Sequence, residues 1–162
     1  MSQRFARPAT PADAARIAAI YNEGMAGRGA TFETEPRNAE QIMLWFEQGY
    51  PVLAAGDETG VMAYAVAFPY SSRPCYQGVR EFSVYVATQA QGTGFGKMAL
   101  SALIEESRRR GWWKLMSRVF PENAASRALC AALGFREVGM LKKHGRLDGE
   151  WRDVVVVEKL LM

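Results

Sequence analysis

The stretch Glu81–Met98, EFSVYVATQAQGTGFGKM, holds the residues best suited to chemistry. In an extended strand side chains alternate, so Glu81, Ser83 and Tyr85 share one face and Phe82, Val84 and Val86 share the other. The first face carries a carboxylate, a hydroxyl and a phenol, a set able to move protons. The second is apolar and anchors the strand. On spacing alone, Glu81 reads as the exposed opening residue of an amphipathic strand more readily than as a base. The glycine run that follows opens a helical pattern. Backbone N–H groups at such a turn, backed by the positive end of a helix dipole, form an anion site.

Three nucleotide-binding frames can be tested on this run. A P-loop fails, because Gly96-Lys97 is followed by Met98 and position 91 is Gln91 rather than glycine. A dinucleotide frame matches at Gly94, Gly96 and Ala99, with Glu122 downstream. That fold needs its first glycine directly after the strand, and here ATQAQGT intervenes. The third frame, Gln91-x-x-Gly94-x-Gly96, is preceded by a VYV strand and opens an amphipathic helix.

The elements that must hold these residues follow from caps and periodicity. Residues 3–8 predict a first strand. Thr10, Pro11 and Asp13 form a helix start before the Ile17, Ile20, Tyr21 stripe, and Asn38 with Gln41 starts a second helix. Two apolar runs around ETG predict a hairpin, then comes the Glu81 strand. Leu100, Leu103, Ile104 and Ser107 mark one face of a helix from Gly94 to Arg110. WKLMSRVF reads as a strand, and NAASRALCAALGF as a helix ending at Gly134. Two strands about Asp148-Gly149 close the chain. The expectation is one α/β (α+β) domain over residues 1–162, with helices on a mixed sheet.

Composition bounds the function classes. A hydrophobic content of 49% with 23% charged residues specifies a globular chain rather than a disordered one. The net charge of +3 suits a small anionic ligand and is too dispersed for nucleic acid, since Arg108-Arg109-Arg110 reads as a helix C-terminus. The charged N-terminal segment is neither a signal nor a membrane span. Two cysteines and one histidine make neither a disulfide framework nor a metal site, so a reduced, cytoplasmic, metal-free protein is expected. His144 and the Trp112-Trp113 pair read as structural.

The third glycine frame resembles the acetyl-CoA signature of the GNAT superfamily of N-acetyltransferases, and NAASRALCAALGF resembles that family's second signature. RPATPADAARIAAIYN, ATFETEP, YPVLAA, EFSVYV and GEWRDVV extend the resemblance over nearly the whole chain, to the phosphinothricin-type acetyltransferases. WKLMSRVFPEN, ALC and KKHGRLDGEWRDVVVVEKLL are similar to the arsinothricin N-acetyltransferase branch. The resemblance implies a GNAT fold, a mostly antiparallel sheet of six to seven strands flanked by about four helices. It implies acetyl-CoA as cosubstrate, a small amino-acid substrate, and a homodimer.

Roles carry over residue by residue. Gly92, Thr93, Gly94, Phe95, Gly96 and Lys97, preceded by Gln91, would bind the pyrophosphate of coenzyme A, and Asn123 its pantetheine arm. Glu81 would deprotonate the substrate ammonium, directly or through water. Val84, Tyr85 and Val86 would line the thioester, a backbone N–H near Tyr85–Val86 meeting its oxygen. Where the wider superfamily often has a tyrosine acid this chain has Cys130, a thiol that could donate a proton or simply pack as a small, half-buried helix residue. Tyr85 is the alternative donor, or no acid is needed. Arg73 and Arg80 would hold the substrate's acidic groups, with Arg28, Thr31 and Phe32 as the opposing wall. The substrate-side loops offer arginines and no run of carboxylates, which argues against a polyamine. The apolar VVVVEKLL strand could serve a dimer or equally mark a central strand. The alternatives are another amine, such as a protein N-terminus, or a CoA-binding module without catalysis.

Overall fold

Caps written into the sequence set where the helices begin. The computed structural model describes residues 3–162. After strand β1 (Phe5–Pro8), the Thr10 N–H donates to the Asp13 carboxylate at 2.8 Å, and helix α1 (Ala14–Ala26) follows. Helix α2 (Ala39–Glu47) starts on a reciprocal cap. Gln41 N–H donates to Asn38 Oδ1 at 3.0 Å, and Asn38 N–H donates to Gln41 Oε1 at 2.8 Å. Such caps contribute about 1 kcal/mol each.

The hairpin β2 (Val52–Asp57) and β3 (Gly60–Pro69), then β4 (Val79–Val86), form as predicted. Helix α3 (Phe95–Arg109), strand β5 (Lys114–Val119), helix α4 (Ala124–Ala132), and strands β6 (Arg136–Leu147) and β7 (Glu150–Leu160) complete the chain. The seven strands lie in the order β1-β2-β3-β4-β5-β7-β6, antiparallel except at β4–β5. The order and number of elements match the expected GNAT fold.

Helices cover both faces of the sheet. On one side Tyr21 of α1 and Trp45 of α2 pack on Tyr64 and Tyr85. On the other, Leu100, Leu103, Ile104 and Ser107 of α3 are buried, each leucine contributing roughly 1.5–3 kcal/mol. Gly96 lets α3 approach β4 closely, since a Cβ there would stand 2.9 Å from Val86.

Two irregularities shape the sheet around the site. Strands β4 and β5 pair only from Val79–Glu81 against Lys114–Met116, although both run on past those residues. Strand β6 loses register between Leu141 and Gly145, where Lys143 takes a left-handed φ of 47°. Asp153 of β7 holds this bulge, accepting from Lys143 N–H at 2.8 Å and Lys142 Nζ at 3.3 Å.

Candidate active site

Glu81 sits where β4 and β5 begin to part, and its carboxylate is fully engaged. Arg118 Nη2 donates to both carboxylate oxygens at 2.6 and 2.8 Å, and Arg118 Nε adds a third bond at 3.1 Å. Glu81 pairs with Met116 in the ladder, so Arg118 lies one side-chain repeat further along β5, on the same face. Nothing in KLMSRV singles out Arg118, whose place beside Glu81 depends on the β4–β5 register.

The ion pair lines a cavity of about 240 Å³, with Thr31, Phe32, Glu33, Ser83, Tyr85, Ser117, Phe120 and His144. Thr31 and Phe32 therefore line the same cavity as Glu81. His144 is exposed on strand β6, as read from sequence, and from there also borders the cavity, next to the β6 bulge. Phe32 stacks edge-on against Phe120 at 4.9 Å, beneath Gly145, where any Cβ would stand 2.8 Å from its ring.

The other expected arginines lie elsewhere. Arg28, at a left-handed φ of 58°, pairs through Nε with Asp148 at 3.0 Å. Arg73 is exposed on the β3–β4 loop with its guanidinium 5.7 Å from the Tyr76 ring centre. Arg80 alternates to the opposite face from Glu81 and lies 4.1 Å over Trp112. Burial there, with Arg110 close by, lowers the pKa of Arg80. None of the three lines the Glu81 cavity.

Past Glu81 the parted strands leave backbone groups facing a gap. The Phe82 carbonyl points at β5, accepting from Ser117 Oγ at 2.8 Å. By strand alternation the N–H groups of Val84 and Val86 point the same way, and that of Tyr85 points at β3. The gap is lined by Val84, Tyr85, Asn123, Ser126 and Cys130.

Burial pushes the Cys130 thiol up to about 11, with the Glu137 charge adding to it. Burial, with Tyr21 nearby, pushes the Tyr85 hydroxyl up to about 12 against a hydrogen bond with Thr31. Both groups hold their protons tightly. An acid works best with a pKa near the operating pH, so neither is well matched to proton delivery at neutrality.

The glycine turn presents free amides. Gly94 caps α3 in the left-handed region at φ 96°, and Met98 N–H is the first to return to it, bonding the Gly94 carbonyl at 3.1 Å. The amides of Phe95, Gly96 and Lys97 precede that bond and have no intrahelical partner. The site Gly92 would give a Cβ is open, at φ 75°. This donor set fits a pyrophosphate. The Phe95 side chain is an anchor, buried under Arg4 at 4.2 Å, and Thr93 Oγ bonds the Ala90 carbonyl.

Gln91 and Asn123 both line a groove of about 500 Å³. Asn123 also caps α4, accepting from Ser126 N–H at 3.1 Å, and donates through Nδ2 to the Gly29 carbonyl at 3.1 Å. Shared lining residues join the groove to the gap and the gap to the Glu81 cavity. Among the described residues no group of three or more His, Cys, Asp or Glu is arranged to hold a metal. No helix there is long and apolar enough to cross a membrane.

Residues 5–136 match the family model described as an acetyltransferase (GNAT) domain. The chain is 34% identical over 157 residues to the L-methionine sulfoximine/L-methionine sulfone acetyltransferase of Pseudomonas aeruginosa, covering 94% of this chain and 91% of that one. Its fold is similar to a phosphinothricin acetyltransferase from Sinorhizobium meliloti solved in complex with acetyl-CoA, at TM-score 0.89 and 32% identity, covering 97% of this chain and 88% of that one. It is also similar to a ribosomal-protein-alanine N-acetyltransferase from Brucella melitensis, at TM-score 0.91 and 36% identity over 96% and 99% of the two chains.

Proposed function

The chain belongs to the GNAT acetyltransferase family, and from that premise we propose that it acetylates the α-amino group of a glutamate-like antimetabolite. Phosphinothricin, methionine sulfoximine and arsinothricin are the candidate substrates. The observation that carries this reading is the Glu81–Arg118 pair, with its shortest bond of 2.6 Å. A free α-amino acid bears an ammonium and a carboxylate on one carbon. The pair offers the complementary charges side by side. An incoming zwitterion exchanges partners with it: Arg118 takes the α-carboxylate in a bidentate contact, and Glu81, released, faces the ammonium.

When bound, acetyl-CoA supplies an acetyl group activated as a thioester. The amides of Phe95, Gly96 and Lys97, with Gly92 giving clearance, hold its pyrophosphate. Asn123 stands beside its arm. The Val84 and Val86 N–H groups, which point into the gap, would meet the negative charge that develops on the thioester oxygen. Glu81 accepts the proton that the amine must lose before it can attack, across one water or directly. Acetylation then removes the positive charge by which a glutamate-binding target would recognise the antimetabolite, and resistance follows.

A second reading, a protein N-terminal amine, is supported by the likeness to the ribosomal-protein enzyme. A peptide N-terminus has no adjacent carboxylate, and would leave Arg118 unmatched. Release of free thiol from acetyl-CoA decides between them. The panel is phosphinothricin, methionine sulfoximine, arsinothricin, spermidine and an alanine-initiated peptide. Turnover of the amino acids, lost in Arg118→Ala chiefly through a raised KM, supports the proposal. Turnover of the peptide alone overturns it, and acetyl-CoA binding without thiol release from any amine returns the chain to a binding module.

A further inference from the structure

The Glu81 cavity continues past Ser83 and Tyr85 into an aromatic recess of about 180 Å³, between α1, α2 and β3. Tyr21 is 3% exposed and Tyr64 is 0% exposed, and both line the recess. Neither hydroxyl has a hydrogen-bond partner among the described residues. A buried hydroxyl left without a partner is costly, so two in one recess mark a place that something polar completes.

Arg37 forms the wall beside them. Its guanidinium lies 4.6 Å from the Tyr21 ring centre and 5.5 Å from that of Trp45. Its main chain is pinned to α1 in both directions: Asn22 Nδ2 donates to the Arg37 carbonyl at 2.9 Å, and Arg37 N–H donates to Asn22 Oδ1 at 2.8 Å. The charge is thus held over the recess rather than left to wander in solvent. Glu33, which is exposed, is the one carboxylate lining it. An aromatic box of this kind would suit a cation, but Arg37 already occupies the faces of two of its rings and repels a second positive charge.

We propose that this recess receives the substrate's side-chain head, and that Arg37 selects heads that carry negative charge on acceptor oxygens, with Tyr21 and Tyr64 donating to the same group. The inference rests on the amino-acid reading of the Glu81–Arg118 pair. The dimensions agree. Ser83, where the recess begins, is one side-chain repeat from Glu81, about 7 Å along the strand. A glutamate-like amino acid places its head three bonds from the α-carbon, about 3.5 Å when extended, with the amino group and head oxygens extending the reach at either end.

Phosphinothricin, with an anionic head, and methionine sulfoximine, with an uncharged one, separate the charge of the head from its shape. In Arg37→Met, kcat/KM for phosphinothricin should fall about 10- to 100-fold, as expected for losing a charged hydrogen bond, while methionine sulfoximine changes much less. Arg37→Lys should recover part of the phosphinothricin activity. An equal loss on both substrates, or no loss on either, overturns the subsite while leaving the acetyltransferase reading intact. Calorimetric titration of phosphinothricin into the protein holding CoA reads the subsite apart from turnover. Binding that Arg37→Met weakens, without acetylation by the unsubstituted enzyme, supports the subsite and sinks the proposed activity. Neither binding nor acetylation sinks both.

Discussion

At the scale of single residues, the site turns on one carboxylate whose partner the sequence hides. Glu81 stands out in EFSVYV as a charge at the head of an apolar strand, yet its role depends on Arg118, which only the β4–β5 register brings within reach. His144, an exposed strand residue as read, also borders the cavity beside a bulge that nothing in KKHGR announces. Replacing Glu81 with Gln should lower kcat at neutral pH by about 10²- to 10⁴-fold, the span of a lost general base. The deficit should narrow as rising pH deprotonates the amine without help, and a rate unchanged at every pH would remove the base. Cys130 is the reverse case, a plausible acid by position that burial makes a poor one. Cys130→Ala should keep its turnover across pH. Iodoacetamide should label one thiol in the native protein, the exposed Cys75, and two after unfolding, and rapid native labelling of Cys130 would contradict its burial.

At the scale of elements, the helix starts were the most legible part, because a cap is a local contract between neighbours. Thr10 with Asp13 and Asn38 with Gln41 form as read. The hydrogen bond from Arg7 chiefly holds the Asp13 carboxyl below its usual range, despite some desolvation. A depressed folded pKa means the contribution is present above the free carboxyl's value near 3.8 and is lost as pH falls through the lower folded one. Asp13→Asn should therefore cost about 1 kcal/mol at neutral pH, with the difference closing in acid, as denaturant melts at each pH would test. Strand existence was legible from alternation, whereas bulges and partings were not, since they depend on what the neighbouring strand does.

For the whole molecule, the sheet leaves its outermost strand uncovered. Val138, Met140 and Leu141 of β6 and Trp151 of β7 are 40–54% exposed, large apolar groups along the outer edge of the sheet that a monomer would leave in water. We propose that a second copy covers this edge. Sedimentation should report a dimer, and Trp151→Glu with Met140→Glu should shift it toward monomer, while a monomer at micromolar concentration would refute the pairing. The parting of β4 from β5 has a kinetic meaning as well. It makes a thin wall with an opening on each side, one reached past Gln91 and Asn123, the other past His144 and Arg37. Donor and acceptor can then reside together, and neither has to depart before the other arrives. The one thiol at the junction is held protonated, so no group there is poised to carry the acetyl between separate half-reactions. Initial rates plotted against one reactant at fixed levels of the other should give lines that intersect, and a parallel family would mean that the acetyl group rests on the protein in transit.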